Sequence, residues 1–222
     1  MKIVALVGSP HGAKSQTLRL VKALAAGAEE GGAVVETVDV CRLKIKYCKG
    51  CDACHAAGPC VHKDDFAALY DRLLAADGVV FASPDYFRTV TAQMKTVIDR
   101  LSQVIHCQLF AGKYACSVIT SGGPAFEEVG RYLSEIIVSL GAFDAGSVGV
   151  GLSQGPQAFA QAEERARALG KELAEAIRAR RVYPDQAKRH EQNAAYFRGL
   201  VERNKDRWPY EHSLWAKRGA PA

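Results

Sequence analysis

The chain has 222 residues, 48% of them hydrophobic, and a formal net charge of +5, which suits one sizeable domain with an appendage and no need of disulfide staples. Seven cysteines, an odd number at this length, do not make a small secreted framework, and no apolar run is long enough for a signal peptide or a membrane span, so a reducing cytoplasm is expected. Nine Lys or Arg against five Asp or Glu from Arg181 onward put about +4 in the tail, but acids are interleaved and the aromatics form no stacking series, so nucleic acid is not an expected partner.

In chain order, Ile3-Val4-Ala5-Leu6-Val7 is an apolar run without helical period that stops at Gly8, the pattern of a buried parallel strand over 2–7. A loop of small and hydroxyl residues, Gly8-Ser9-Pro10-His11-Gly12-Ala13-Lys14-Ser15-Gln16-Thr17, then leads into a helix to about Glu30 with Leu18, Val21, Leu24, Ala25 and Ala28 at helical spacing. Strand, loop and helix start make a phosphate cradle, because free backbone N–H groups and the positive end of the helix dipole face the same point. A nucleoside-triphosphate loop is not matched: three residues, not four, separate Gly8 from Gly12, and Ala13 stands before Lys14. No G-x-G-x-x-G follows either, so a single phosphate monoester is the better fit, with an ordinary capped helix as the plain alternative.

Residues 34–40 read as a second strand, and a few residues later come Cys48, Cys51, Cys54 and Cys60, spaced C-x2-C-x2-C-x5-C. Four thiolates are what a [4Fe-4S] cluster needs, one per iron, and a tight loop of about three residues per turn would point the first three sulfurs inward. Structural zinc, or free thiols beside a redox cofactor, are the alternatives. His55 and His62 are expected to face solvent, Cys41, Cys107 and Cys116 to be ordinary semi-buried thiols, and Asp99 and Arg100 to serve packing or a subunit contact.

Asp64 or Asp65 can cap a helix through Ala76, followed by a third strand over 78–83 and one helix from about Thr91 to Ile105. A fourth strand over 113–120, a helix over 126–140, a fifth strand around 147–150 and a long helix over about 157–180 complete the alternation. The expected fold is a doubly wound α/β sheet of five parallel strands in the flavodoxin-like order 2-1-3-4-5, with FMN at the switch point outside the carboxyl ends of strands one and three.

The sequence resembles the iron-sulfur flavoproteins within the flavodoxin-like NAD(P)H-dependent FMN reductases. The resemblance rests on Gly8-Ser9-Pro10 with Ser15-Gln16-Thr17, on Ser83-Pro84-Asp85-Tyr86-Phe87, on Thr120-Ser121-Gly122-Gly123, and on the cysteine run with Cys60-Val61-His62-Lys63-Asp64-Asp65. It implies that Ser9, His11, Ser15, Gln16 and Thr17 touch the FMN phosphate. Ser83, Pro84, Asp85, Tyr86, Phe87, Ser121, Gly122 and Gly123 would approach the ribityl chain and ring, and Cys48, Cys51, Cys54 and Cys60 would hold the cluster. His11 and Asp85 depart from the family, which usually has arginine and an apolar residue there.

The organisation that follows is an FMN-binding domain over 1–180, with a cysteine-rich cluster loop at 47–62, and a helical tail over 181–222. Trp208 and Trp215 in that polar tail need burial and are expected to find it on a neighbouring subunit of a homodimer or homotetramer. The expected function is electron transfer between FMN and the cluster, in exchange with a protein such as ferredoxin, and reduction of oxygen or peroxide. A cluster-free NAD(P)H-dependent FMN or quinone reductase, and a non-catalytic FMN-binding carrier or sensor, are the alternatives.

Overall fold

Five strands, β1 (Lys2–Val7), β2 (Val34–Asp39), β3 (Gly78–Pro84), β4 (Tyr114–Ser121) and β5 (Phe143–Gly151), form one parallel sheet in the order β2-β1-β3-β4-β5 in this computed structural model, which describes residues 1–219. β3 and β4 are buried along their whole length, as central strands covered on both faces must be. Side-chain alternation divides the core. Ile3, Ala5, Val7, Val80, Ala82, Cys116 and Val118 pack with α1 (Gln16–Glu30) and, across the chain, the long helix Gly155–Ala179, while Val4, Leu6, Val79, Phe81 and Ile119 pack on the opposite side. That side holds α2 (Ala53–Ala57), α3 (Phe66–Ala75), α4 (Ala92–Arg100), α5 (Ser102–His106) and α6 (Glu127–Ser139). α7 (Gly155–Ala179), α8 (Pro184–Arg203) and α9 (Pro209–Gly219) end the described chain, and none of the described helices is long and apolar enough to cross a membrane.

Three expectations change. The single helix over 91–105 is broken at Leu101, because α5 turns to put Gln103 under the cysteine loop, where its Nε2 donates to the Cys54 and Gly58 carbonyls at 2.9 and 3.3 Å. The fifth strand begins earlier than expected, at Phe143. A register irregularity opposite Ala115–Ser117 and Gly146 at φ +119° hide its first half from simple periodicity. Trp208 buries on its own chain rather than on a neighbour, 9% exposed against His55 and His106, while Trp215 is half-buried, its Nε1 donating to the His106 carbonyl at 3.1 Å. Gln186 fastens α8 to the sheet edge by accepting the Asp144 N–H at 2.7 Å and donating to its carbonyl at 2.9 Å.

α1 and α7 cross with their backbones in contact. A Cβ at Gly27 would stand 1.9 Å from the Arg167 carbonyl oxygen, and one at Gly170 would stand 2.0 Å from that of Leu24. Alanine is the better helix former by about 1 kcal/mol. At these two positions Gly→Ala is nevertheless expected to destabilise by roughly 1–3 kcal/mol net, because a backbone carbonyl has no rotamer to move to, and a lower urea midpoint would show it.

Candidate functional site

The loops after β1, β3 and β4 emerge at the same edge of the sheet and meet around a cleft of about 380 Å3. Ser9, His11, Gln16, Thr17, Pro84, Asp85, Tyr86, Ser121 and Gly122 line it, with Lys14 and Thr120, which stand in the loop motifs but carry no expected contact, and Leu152, which sequence reasoning passed over. A tight turn over Gly12–Lys14, with Gly12 at φ +53°, returns the chain to Ser15, whose side chain caps α1 by accepting the Leu18 N–H at 3.0 Å. As the first residues of a fifteen-residue helix, Gln16 and Thr17 have N–H groups with no carbonyl one turn back, at the positive end of the dipole.

Thr17 Oγ1 and Thr120 Oγ1 meet at 2.7 Å and tie α1 to β4. Asp85 is anchored by its N–H on the Thr120 carbonyl at 2.7 Å, yet its buried Oδ1 has no protein partner. An unpartnered buried acceptor asks for a ligand N–H or hydroxyl. Gly122 leaves open space where a Cβ would stand. Free N–H donors for a phosphate, hydroxyls for a polar chain and an acceptor for a ring imide together suit FMN.

Four expected contacts have other work. Ser15 is the helix cap, and Ser83 Oγ donates to the Pro84 carbonyl at 2.8 Å while accepting the Thr91 N–H at 3.0 Å. Phe87 is fully exposed at the tip of a turn closed by Tyr86 and Thr89, with Phe87 and Arg88 both at positive φ. The Gly123 carbonyl accepts the Ser121 hydroxyl.

Cys48, Cys54 and Cys60 line a second cavity, of about 340 Å3, with Phe66, Tyr70, Arg100, Ser102, Gln103 and Tyr210 among its walls. Cys51 is exposed and does not line it, so the expected three inward sulfurs become two from that run, joined by Cys60. The reason is local: left-handed turns at Gly50 (φ +60°) and Asp52 (φ +58°) flank Cys51, and only Cys54 enters α2. Arg100, with its side chain 2% exposed, has an Nε without a hydrogen-bond partner. A buried donor beside thiols fits the negative sulfur of a cluster.

The cysteine loop is closed at its neck. Asp65 accepts the Lys44 N–H at 2.7 Å, Asp64 accepts the Lys46 N–H at 2.9 Å, and Arg100 Nη1 donates to both the Lys46 carbonyl and Asp64 at 2.8 and 2.9 Å. Burial pushes the Asp64 carboxyl up, but hydrogen bonds from Arg100 and the Lys46 and Phe66 N–H groups outweigh it and hold the group below its ordinary range. Asp64 thus shares the capping of α3 by accepting the Phe66 N–H at 3.2 Å, while Asp65, at the cap position, spends its side chain on Lys44. Arg100 packs on Phe66 but also lines the thiol cavity, which the expectation of a packing or subunit-contact role did not include, and Asp99 pairs with Lys95 at the surface.

His55 does not face solvent as expected, and His62, partly exposed, turns only its Nε2 inward. His55 is buried and donates from Nδ1 to Glu211 Oε1 at 2.5 Å, His106 Nδ1 donates to Oε2 at 3.1 Å, and His62 has a buried Nε2 without a partner. Glu211 arrives from α9, so nothing near His55 in sequence announces it. Burial opposes the charge on each of Cys54, His55 and Glu211, but hydrogen bonds prevail: with His55 for Cys54, with Cys54 and Glu211 for His55, and with His106 and His55 for Glu211. The Cys54 thiol and Glu211 carboxyl are lowered and the His55 imidazole raised. Among the described residues, His55, His106 and Glu211 also form a group of metal-capable side chains with ligand atoms within 4.8 Å of one another. Burial, helped by the Glu211 carboxylate and partly offset by Arg218, raises Cys107 to about 12, and burial with the neighbouring Asp39 raises Cys41 to about 11, so both remain ordinary thiols.

Residues 1–157 match the family model of NADPH-dependent FMN reductases. An iron-sulfur flavoprotein of Archaeoglobus fulgidus is 36% identical over 179 residues, 80% of each chain. An iron-sulfur flavoprotein of Methanocaldococcus jannaschii is 30% identical over 190 residues, 80% of this chain and 98% of the relative. Among solved structures, an NADH:FMN oxidoreductase in its apo form superposes with a TM-score of 0.61 at 23% identity, over 79% of this chain and 89% of the other. An archaeal flavodoxin gives 0.55 at 14% identity, over 80% and 99%. These two show the fold.

Removing one partner of the buried Arg100–Asp64 pair is expected to cost about 3–5 kcal/mol, so Arg100→Ala and Asp64→Ala both lower the thermal midpoint. Because the folded-state pKa of Asp64 is depressed, its contribution is present above about pH 4, the unfolded value, and is lost as pH falls through the folded one. Asp64→Asn is expected to flatten the acid limb of the stability curve, measured by urea unfolding between pH 2 and 6, roughly the range of carboxylate titration.

Proposed function

This chain belongs to the NADPH-dependent FMN reductase family, within its iron-sulfur flavoproteins, and is an FMN-dependent oxidoreductase; on that footing we propose that it passes electrons between FMN in the cleft and a [4Fe-4S] cluster on Cys48, Cys51, Cys54 and Cys60. When bound, FMN supplies the conversion between two-electron and one-electron transfer, and the cluster exchanges one electron at a time. The observation that carries the proposal is that α4 links two sites: its cap Thr91 is bonded to the cradle loop at Gly8, beside the cleft with the unpartnered Asp85 carboxylate oxygen, and its last residue Arg100 brings an unpartnered Nε into the thiol-lined cavity.

The protein's own groups do the holding. Gln16 and Thr17 N–H groups with Lys14 and Ser9 receive the phosphate, Asp85 orients the ring, and Tyr86 and Leu152 limit water around it. For the partner we favour an acidic electron carrier such as a ferredoxin, because exposed Lys44, Lys46, Lys49 and Lys63 surround the cysteine segment, against which the basic tail also docks through the neutral Arg207–Asp52 pair at 3.2 Å. Oxygen or peroxide is the proposed terminal acceptor. The seven unpaired thiols suit a reducing compartment, the cytoplasm. Assembly as a homodimer or homotetramer belongs to the same proposal, with exposed Phe87 next to the cleft as apolar contact surface, and light scattering decides it.

A second reading has one observation behind it: the family model covering 1–157 is that of NADPH-dependent reductases, so NAD(P)H is an alternative donor. Fast hydride transfer to flavin in metal-free protein, seen as bleaching of flavin absorbance, would favour it.

Protein purified without oxygen is expected to hold about four irons and four labile sulfides with one FMN. Cys51→Ser is expected to lose the cluster and keep FMN, and full retention of iron would remove Cys51 from the ligand set. Gly122→Ala, which meets no protein atom within 4 Å, is expected to leave the thermal midpoint in place and weaken FMN binding measured by fluorescence titration.

A further inference from the structure

α2, which carries Cys54, is only five residues long, starts at Asp52 in the left-handed region without a side-chain cap and stops at Gly58 with φ +88°. A helix of that length does not hold itself together in water. What holds it comes largely from the far end of the chain, beyond the residues that the family model matches. Glu211, fully buried, takes His55 on one carboxylate oxygen and His106 of α5 on the other, and Trp208 lies over both imidazoles with ring centroids 4.9 and 5.2 Å away. Arg207 reaches Asp52, and the ring of Tyr210 covers Gly58 so closely that a Cβ there would stand 2.6 Å from its Cζ.

Burying a carboxylate is expensive unless both oxygens are satisfied, so α9 can dock in only the register that delivers Glu211 to the two histidines. That register puts the Tyr210 ring into the wall of the cavity that Cys48, Cys54 and Cys60 line. We propose that residues 207–211 of the tail are the outer wall of the cysteine centre, with Glu211 a positioning residue for the Cys54 turn and Tyr210 the shield that limits access to its sulfur. The role assigned to the shielded sulfur rests on the reading of Cys54 as a cluster ligand, whereas the wall itself does not.

The test uses full-length protein with FMN bound. In the metal-free form, alkylation of Cys54 by iodoacetamide is followed by peptide mass spectrometry, with exposed Cys51, outside the cavity, as the internal reference. Tyr210→Ala is expected to raise the Cys54-to-Cys51 labelling ratio by about tenfold, as when local access becomes easier by about 1.4 kcal/mol. Glu211→Gln should raise it in the same direction. Tyr210→Phe keeps the ring and is expected to keep the wild-type ratio, and FMN content stays at one per chain in all three. An unchanged ratio in Tyr210→Ala overturns the proposal, as does a Tyr210→Phe ratio equal to that of Tyr210→Ala. After anaerobic reconstitution, faster bleaching of the iron-sulfur absorbance in air is expected for Tyr210→Ala, and bleaching at the wild-type rate would overturn the shield. Failure of the wild-type protein to take up iron would count against the cluster alone, since the labelling ratio reports the wall with or without metal.

Discussion

The buried pair of Arg100 and Asp64 is the contact on which the rest of the cysteine centre depends. A loop of this length loses much conformational entropy when it is fixed, and its closure is made at one point, where Lys46 before the first cysteine and Asp64 after the last are gripped by the same guanidinium. Arg100 stands at the last turn of α4 and stacks 4.4 Å over Phe66, the first residue of α3. The pair therefore joins the loop to two core helices at once. Its burial makes the geometry narrow, because an isolated charge at either position would be costly.

α4 also couples the two sites. At its start, Thr91 accepts the Met94 N–H and donates to the Gly8 carbonyl at 2.6 Å, so the helix begins on the cradle loop. At its end Arg100 enters the thiol cavity. Nine residues of α-helix measure about 13 Å, which sets the scale of the separation between the flavin cleft and the cysteines within one chain. The helix is packed into the core through Met94 and Val97, so that spacing is rigid.

The tail closes the arrangement from the other side. Gln186 ties α8 to the edge of the sheet, and Trp208 and Glu211 bring its end onto α2 and α5. The cysteine segment is thereby held by three remote elements, α4, α5 and α9, and has little regular structure of its own. Its shape is a tertiary property.

The sequence alone determined the five-stranded alternation, the strand order and the cradle after β1, because buried parallel strands and helix starts write local signals: apolar runs, a glycine stop and a cap at Ser15. It also identified the four thiols and most of the cleft, including Asp85 and Gly122, since the topology sends the loops after β1, β3 and β4 to one edge. It did not place His55 or Trp208 correctly, assign Lys14 to the cleft or find Leu152, because their surroundings depend on partners remote in sequence or on how loops pack. Only the folded chain decided that Cys51 lies outside the cavity and that Glu211, 156 residues from His55, is its partner. Side-chain periodicity encodes which face of an element is buried, whereas a loop pinned by distant carboxylates takes its form from contacts that exist only once the sheet has assembled.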